Sequence, residues 1–173
     1  MSTQAADTLP TWEEIIRRRG RNDWAWLFIE AFNNGRLRDD DYCRALQDAW
    51  TGPDRPLAYA DDMIWHLYFR NADFLVDDEE GACPMLGPTV LYRGCTRDRL
   101  VDGMSWSERP EVALSFAKRY RQQGFAAHVW AAEFEPEMAL ARFTKARPGE
   151  NEWVMEPLAG EALDGARIHM RLD

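Results

Sequence analysis

The chain has 173 residues, enough for one domain with a sizeable core or a small core beside a helical cap, and 46% hydrophobic content with eight Trp excludes a disordered chain. Its formal charge of −9 is uneven: residues 1–86 carry 17 acids against 9 bases, whereas residues 87–173 carry 13 against 12. An acidic first half disfavours non-specific binding to nucleic acid or an anionic membrane, and a near-neutral second half leaves room for a local positive pocket.

Residues 1–10 are small and polar and read as a frayed start. Thr11 followed by Glu14 reads as a capping box opening a helix through Ile15 and Ile16 to Arg19, which Gly20 stops. Trp24 to Phe32 is apolar on most sides and predicts a largely buried second helix. Asp39, Asp40 and Asp41 favour a third helix start, with Tyr42, Leu46, Ala49 and Trp50 on one face and Gly52-Pro53 as the stop. A fourth helix is expected over Asp61 to Phe74, with Ile64, Leu67, Tyr68 and Leu75 towards the core. The acidic run Asp77 to Glu80 reads as a solvated linker extended by Pro84 and Gly87-Pro88.

Beyond Pro88 the texture turns to short β-like runs. Thr89 to Arg93 predicts a strand ended by Gly94, and Gly103 to Ser107 a short strand or turn. Ser107, with Pro110 just inside, opens a helix to Gln123 whose buried stripe is Ala113, Phe116, Ala117 and Tyr120. Ala126–Phe134, Met138–Phe143, Glu152–Met155 and Ala166–Leu172 follow as strands between Pro or Gly turns. Helices first and strands later predict an α+β fold in one compact domain spanning 1–173, with a helical part over 11–80 and a β-rich part over 86–173.

Cys43, Cys83 and Cys95 include no Cys-x-x-Cys pair, and His66, His128 and His169 lie far apart. That pattern argues against a disulfide framework and a metal site, and suits a reducing compartment. With no signal pattern at the start and no apolar run long enough for a bilayer, the expectation is a soluble, cytoplasmic protein without a membrane partner.

The chemistry-bearing stretch is Gly149-Glu150-Asn151-Glu152-Trp153-Val154-Met155. On an extended strand Glu150 and Glu152 would point to one side, where two carboxylates repel and neither buries cheaply. A solvated strand edge is the plain reading of that pair taken alone, as a surface arginine is for Arg93 and a turn and a helix cap are for Ser105 and Ser107. Their order along the chain is what links them: Leu91-Tyr92-Arg93-Gly94, then Ser105-Trp106-Ser107, then Glu150-Asn151-Glu152-Trp153-Val154.

Over residues 89–157 this order resembles the Arg–Ser–Glu class of mono-ADP-ribosyltransferases, of bacterial toxin and phage-like type. The resemblance implies a mixed or antiparallel β core of ADP-ribosyltransferase type with the N-terminal helices packed on it. It implies NAD as donor substrate, no metal, and a macromolecular acceptor, an acidic protein surface ahead of nucleic acid. Glu152 would hydrogen-bond the nicotinamide ribose; Glu150 would position the acceptor, a protein arginine in members with this Glu-x-Glu pattern. Arg93 with Tyr92, Gly94, Ser105 and Ser107 would bind NAD, Ser105 also orienting Glu152 and Ser107 capping the following helix. The loop carrying Lys145 and Arg147 would recognise the acceptor. Only 11 residues separate Arg93 from Ser105, fewer than is usual in the class, so residues 11–75 are expected to supply the missing helical wall. Two rivals stand beside the transferase: an NAD glycohydrolase in the same cleft, and a non-enzymatic binding module. An inhibitory partner that masks the cleft is compatible with all three.

Overall fold

The computed structural model describes residues 9–96, 102–147, 149–159 and 163–172, so most of the start expected to fray lies outside the described residues. The capping box forms as the spacing predicts. Glu14 N–H donates to Thr11 Oγ1 at 3.3 Å, and Thr11 N–H donates to the Glu14 carboxylate at 2.9 Å. It opens α1 (Trp12–Ile16), which ends sooner than the expected Arg19. Trp12 is fully buried; its backbone N–H donates to Asp41 and its indole N–H to Asp48, each at 2.9 Å, tying α1 to the next helices.

Helix α2 (Trp24–Asn33) buries Leu27 and Phe28, and α3 (Tyr42–Thr51) buries Leu46, Ala49 and Trp50. Helix α4 runs over Asp62–Arg70, four residues short of the predicted Phe74, and its inward face is Trp65, Tyr68 and Phe69. Ile64 and Leu67, expected inside, are 39% and 57% exposed. Aromatic packing sets the rotation. Trp65 stacks on Phe28 and meets Trp50 edge-on, Tyr68 meets Phe28 edge-on, and Phe69 meets Trp50 edge-on, which buries more ring area than the aliphatic stripe could.

The acidic run read as a linker is a hairpin. Strand β1 (Leu75–Val76) pairs with β2 (Glu79–Glu80) around Asp77, whose φ of 56° is left-handed. Asp77 is buried and accepts three bonds: Thr144 N at 2.7 Å, Thr144 Oγ1 at 3.0 Å and Lys145 N at 3.0 Å. Burial alone would raise its carboxyl, but the Lys145 and Thr144 donors outweigh that and hold it below the ordinary range.

The remaining strands are β3 (Thr89–Thr96), β4 (Ser105–Ser107), β5 (Ala127–Phe134), β6 (Ala139–Phe143), β7 (Glu152–Met155) and β8 (Arg167–Arg171). Among the described residues they join β1 and β2 in one eight-stranded sheet of order β2-β1-β6-β7-β4-β3-β5-β8, antiparallel except where β1 runs parallel to β6. Gly94 does not end β3, which continues to Thr96. Its bare Cα is used differently: a Cβ there would lie 1.9 Å from Ala113 O of α5 (Pro110–Gln122), so glycine lets that helix lie directly on the strand.

Helices α1 to α4 pack through their aromatic core onto Leu75, Leu140, Ala141, Phe143 and Val154. Leu91, Trp106, Phe134, Trp153 and Met155 form a separate core, alternating along β7 with the helix-facing Val154. Ala113 and Ala117 of α5 cover Ala127 and Val129. The architecture is mixed α+β. Among the described residues no helix is long and apolar enough to cross a membrane.

Candidate active site between the helical layer and the sheet

Strand order brings the motifs together. Tyr92 of β3 pairs with Ser107 of β4, and Ser107 pairs with Glu152 of β7, so three segments far apart in sequence become neighbouring strands. Alternation on β4 sends Trp106 into the core, where its indole N–H donates to Gly103 O at 2.7 Å, and leaves Ser105 and Ser107 on the other face.

Glu152 is 5% exposed and is the centre of the constellation. Its Oε1 accepts from Ser105 Oγ at 2.6 Å and from Trp50 Nε1 at 2.9 Å. Its Oε2 is buried and has no hydrogen-bond partner among the described residues. Burial pushes the carboxyl above the ordinary range, against the pull of the Ser105 hydroxyl, the Arg147 charge and the Trp50 N–H; Glu150 adds a smaller push upward.

Arg93 sits across β4 from this acid, with Nη1 donating to Ser105 O at 2.5 Å. Gly103 makes the space, because a Cβ there would stand 2.3 Å from Arg93 Nη2. Asp62, at the start of α4, faces the same guanidinium. Burial raises the Asp62 carboxyl, the Arg93 charge lowers it and Asp102 raises it again.

These groups share one cleft of 690 Å³, in the range of small-molecule sites. One wall is helical, from Trp50 through Arg55 and Leu57 to Asp62; the other is β3, β4 and the Phe116 and Tyr120 side of α5.

No protein-family model, curated protein or solved structure matches the chain.

Of the residues singled out from sequence, Tyr92, Arg93, Gly94, Ser105, Ser107, Arg147, Glu150 and Glu152 all line the cleft. Lys145 does not: it is exposed, with Nζ 3.7 Å from Asp77 Oδ2. Ser107 is not the helix cap expected of it, since that position belongs to Arg109, which makes no capping bond. Instead Ser107 Oγ donates to Glu150 O at 2.9 Å and accepts from Arg109 N at 3.2 Å. Nor do the two glutamates lie along one strand, as expected of them. Asn151 has a left-handed φ of 45° and β7 begins at Glu152, so Glu150 reaches the cleft from a turn.

Arg147 is turned inward. Its Nε and Nη2 donate to Thr51 O at 3.0 and 2.7 Å, Nη2 also to Pro53 O at 3.2 Å, and Nη1 lies 3.7 Å from Glu150 Oε2.

Trp50, Asp62 and Gly103 are the site residues that sequence reading missed. Trp50 carries one signal in its residue type: a buried indole needs an acceptor for its N–H. Among the described residues no cluster of three or more His, Cys, Asp or Glu is arranged to hold a metal ion.

Proposed function

We propose that the chain is an NAD-dependent mono-ADP-ribosyltransferase that moves ADP-ribose to a macromolecular acceptor. Glu152 carries the reading. A carboxylate this buried, with one oxygen accepting two hydrogen bonds and the other without a donor among the described residues, is costly for folding unless a ligand supplies the missing hydrogen bond. A ribose hydroxyl would supply it. As the nicotinamide–ribose bond breaks, positive charge grows on the ribose, and a fixed carboxylate stabilises that charge more than it stabilises the ground state. Arg93, whose Nη1 donates to Ser105 O, gives the cleft a cation suited to the pyrophosphate. An N-terminal helical wall facing a mostly antiparallel sheet supports assignment to the ADP-ribosyltransferase fold type. The overall change is NAD plus acceptor going to ADP-ribosyl acceptor, nicotinamide and a proton.

The glycohydrolase reading has its own support: the Glu150 carboxylate is engaged by Arg147, which competes with an outside acceptor for that acid. Both readings are tested with NAD labelled in the adenylate half, incubated with lysate proteins and, separately, with buffer alone. Glu152→Gln is expected to lower nicotinamide release by about 10²- to 10³-fold, the usual effect of losing a fixed group that stabilises transition-state charge. NAD affinity should stay within a few fold, because the interaction is made in the transition state. Label on protein identifies the transferase; label recovered only as free ADP-ribose identifies the hydrolase. NAD consumption that is absent, or indifferent to the Glu152 substitution, leaves a binding module.

A further inference from the structure

Arg147 occupies a place built for a guanidinium. Its acceptors are Thr51 O and Pro53 O, with the Glu150 carboxylate on the third side. Thr51 is the last residue of the ten-residue helix α3, whose terminal carbonyls lack partners within the helix and form the negative end of its dipole. A planar cation with forked donors suits two carbonyls and a carboxylate better than a lysine ammonium does.

Contacts other than the Arg147 side chain hold Glu150 and the end of α3; one of them is the Glu150 N–H donating to Arg147 O at 3.0 Å. Glu150 is fixed by its backbone, which accepts from Ser107 Oγ, and by Gly149, whose carbonyl accepts from Arg109 Nη1 at 3.1 Å. Gly52 N–H donates to Asp48 O at 2.8 Å and closes the end of α3. The loop leading to Arg147 is pinned further back, at Thr144 and Lys145, by Asp77. Arg147 itself keeps 28% of its side chain exposed, so it can leave towards solvent without dismantling what it touches.

We propose that Thr51 O, Pro53 O and Glu150 form the acceptor-guanidinium subsite of this cleft, and that Arg147 fills it as a resident competitor that an outside arginine must displace. The proposal rests on the transferase reading and adds a self-imposed block at the acceptor side. When an outside guanidinium takes the subsite, Glu150 accepts one of its protons. The freed nitrogen lone pair then forms the bond to ribose C1′, and the C1′–nicotinamide bond breaks with its electron pair leaving on nicotinamide. With Arg147 in place, Glu150 is engaged and the cation is left to water.

The test compares wild type, Arg147→Ala, Arg147→Gln and Arg147→Ala/Glu150→Gln, with agmatine as a small guanidino acceptor and lysate protein as a large one. A tethered occupant competes at an effective concentration on the order of millimolar, so its removal should raise the ratio of agmatine transfer to NAD hydrolysis by about tenfold or more. Glu150→Gln in the Arg147→Ala background should abolish the gain. A ratio unchanged or lowered in both folded single variants overturns the proposal, as does a gain that survives loss of Glu150. Arg147→Gln keeps a polar side chain of intermediate length and provides the comparison if the alanine variant does not fold. A second readout needs no turnover. In a Glu152→Gln background, agmatine titrated against Trp fluorescence should bind the Arg147→Ala form and not the form retaining Arg147. If wild type proves inactive on NAD while that binding difference holds, the transferase reading fails and the subsite stands. If NAD is cleaved and the binding difference is absent, the subsite fails alone.

Discussion

At Glu152 the two carboxylate oxygens live in different surroundings. Oε1 is shared by Ser105 and Trp50, while Oε2 is buried with no donor among the described residues. Ser105 comes from the neighbouring strand, but Trp50 comes from the helical layer, where Trp65 and Phe69 pack edge-on against its ring. On the proposed reading Trp50 is a positioning residue: it engages Oε1 and leaves Oε2 for a ligand hydroxyl. Trp50→Phe keeps most of the ring and removes the N–H. Loss of one hydrogen bond to a charged group, worth about 1.5–3 kcal/mol, should lower kcat for nicotinamide release by about tenfold or more, with KM for NAD within about threefold. The groups acting on Glu152 are Ser105, Arg147, Trp50 and Glu150, and three of the four favour its charged form. Deleting one of those three should move the acid limb of the pH–rate profile to higher pH. An unshifted limb would reduce Trp50 to a space filler.

Among the elements, β3, β4 and β7 supply the sheet side of the cleft, and glycines set how closely their neighbours approach. Gly94 admits α5 onto β3, and Gly103 admits the Arg93 guanidinium under the loop that precedes β4. These two close approaches differ in kind. The contact at Gly94 is backbone, which cannot yield, whereas the contact at Gly103 is the far end of a flexible side chain. Gly103→Ala should therefore displace Arg93 at little cost to the fold. KM for NAD is expected to rise by about tenfold, the equivalent of ~1.4 kcal/mol, with the urea midpoint nearly unchanged. An unaltered KM would show that Arg93 does not grip the dinucleotide from its present position. Sequence reading reached these elements where the signal was local: the capping box at Thr11 and Glu14, the alanine face of α5, the strand after Glu152. It failed where a distant partner decided. Gly94 looked like a strand end because nothing in the sequence says that a helix will lie on it. Asn151 hid a left-handed residue inside what read as plain alternation.

For the molecule as a whole, α1 to α4 form one layer over the β1–β6–β7 end of the sheet, and the cleft opens where that layer meets β3, β4 and α5. The helical layer was legible in the capping box at Thr11 and the apolar periodicity of α2 and α3. The rotation of α4 was not, because it depends on rings contributed by α2 and α3. Two buried acids give this architecture opposite pH signatures. Asp77 has its carboxyl lowered by net donation from Thr144 and Lys145, so it stabilises the fold above the unfolded value near ~3.9 and loses that contribution as pH falls through its folded value. Glu152 has its carboxyl raised, so the native state binds its proton more tightly than the unfolded chain. Stability then falls as pH rises from the unfolded value near ~4.3 through the folded one. Urea midpoints measured across pH should separate the two. At neutral pH Asp77→Asn is expected to cost about 1–2 kcal/mol, shrinking below about pH 4. Glu152→Gln should instead raise the midpoint at neutral pH, with the gap closing towards about pH 4. A neutral-pH loss in the glutamine variant would mean that the carboxylate is not a burden on the fold.

The bond between Trp50 and Glu152 spans 102 positions of the chain, which sets an order of events during synthesis. A translating ribosome makes the indole, then both serines and the arginine, long before the acid that completes the set. Products abandoned before residue 152 therefore lack β7, the strand that joins β6 to β4, and with it the buried acid. On the proposed reading they leave NAD in the producing cell untouched, and the reactive centre closes only once β7 has been made.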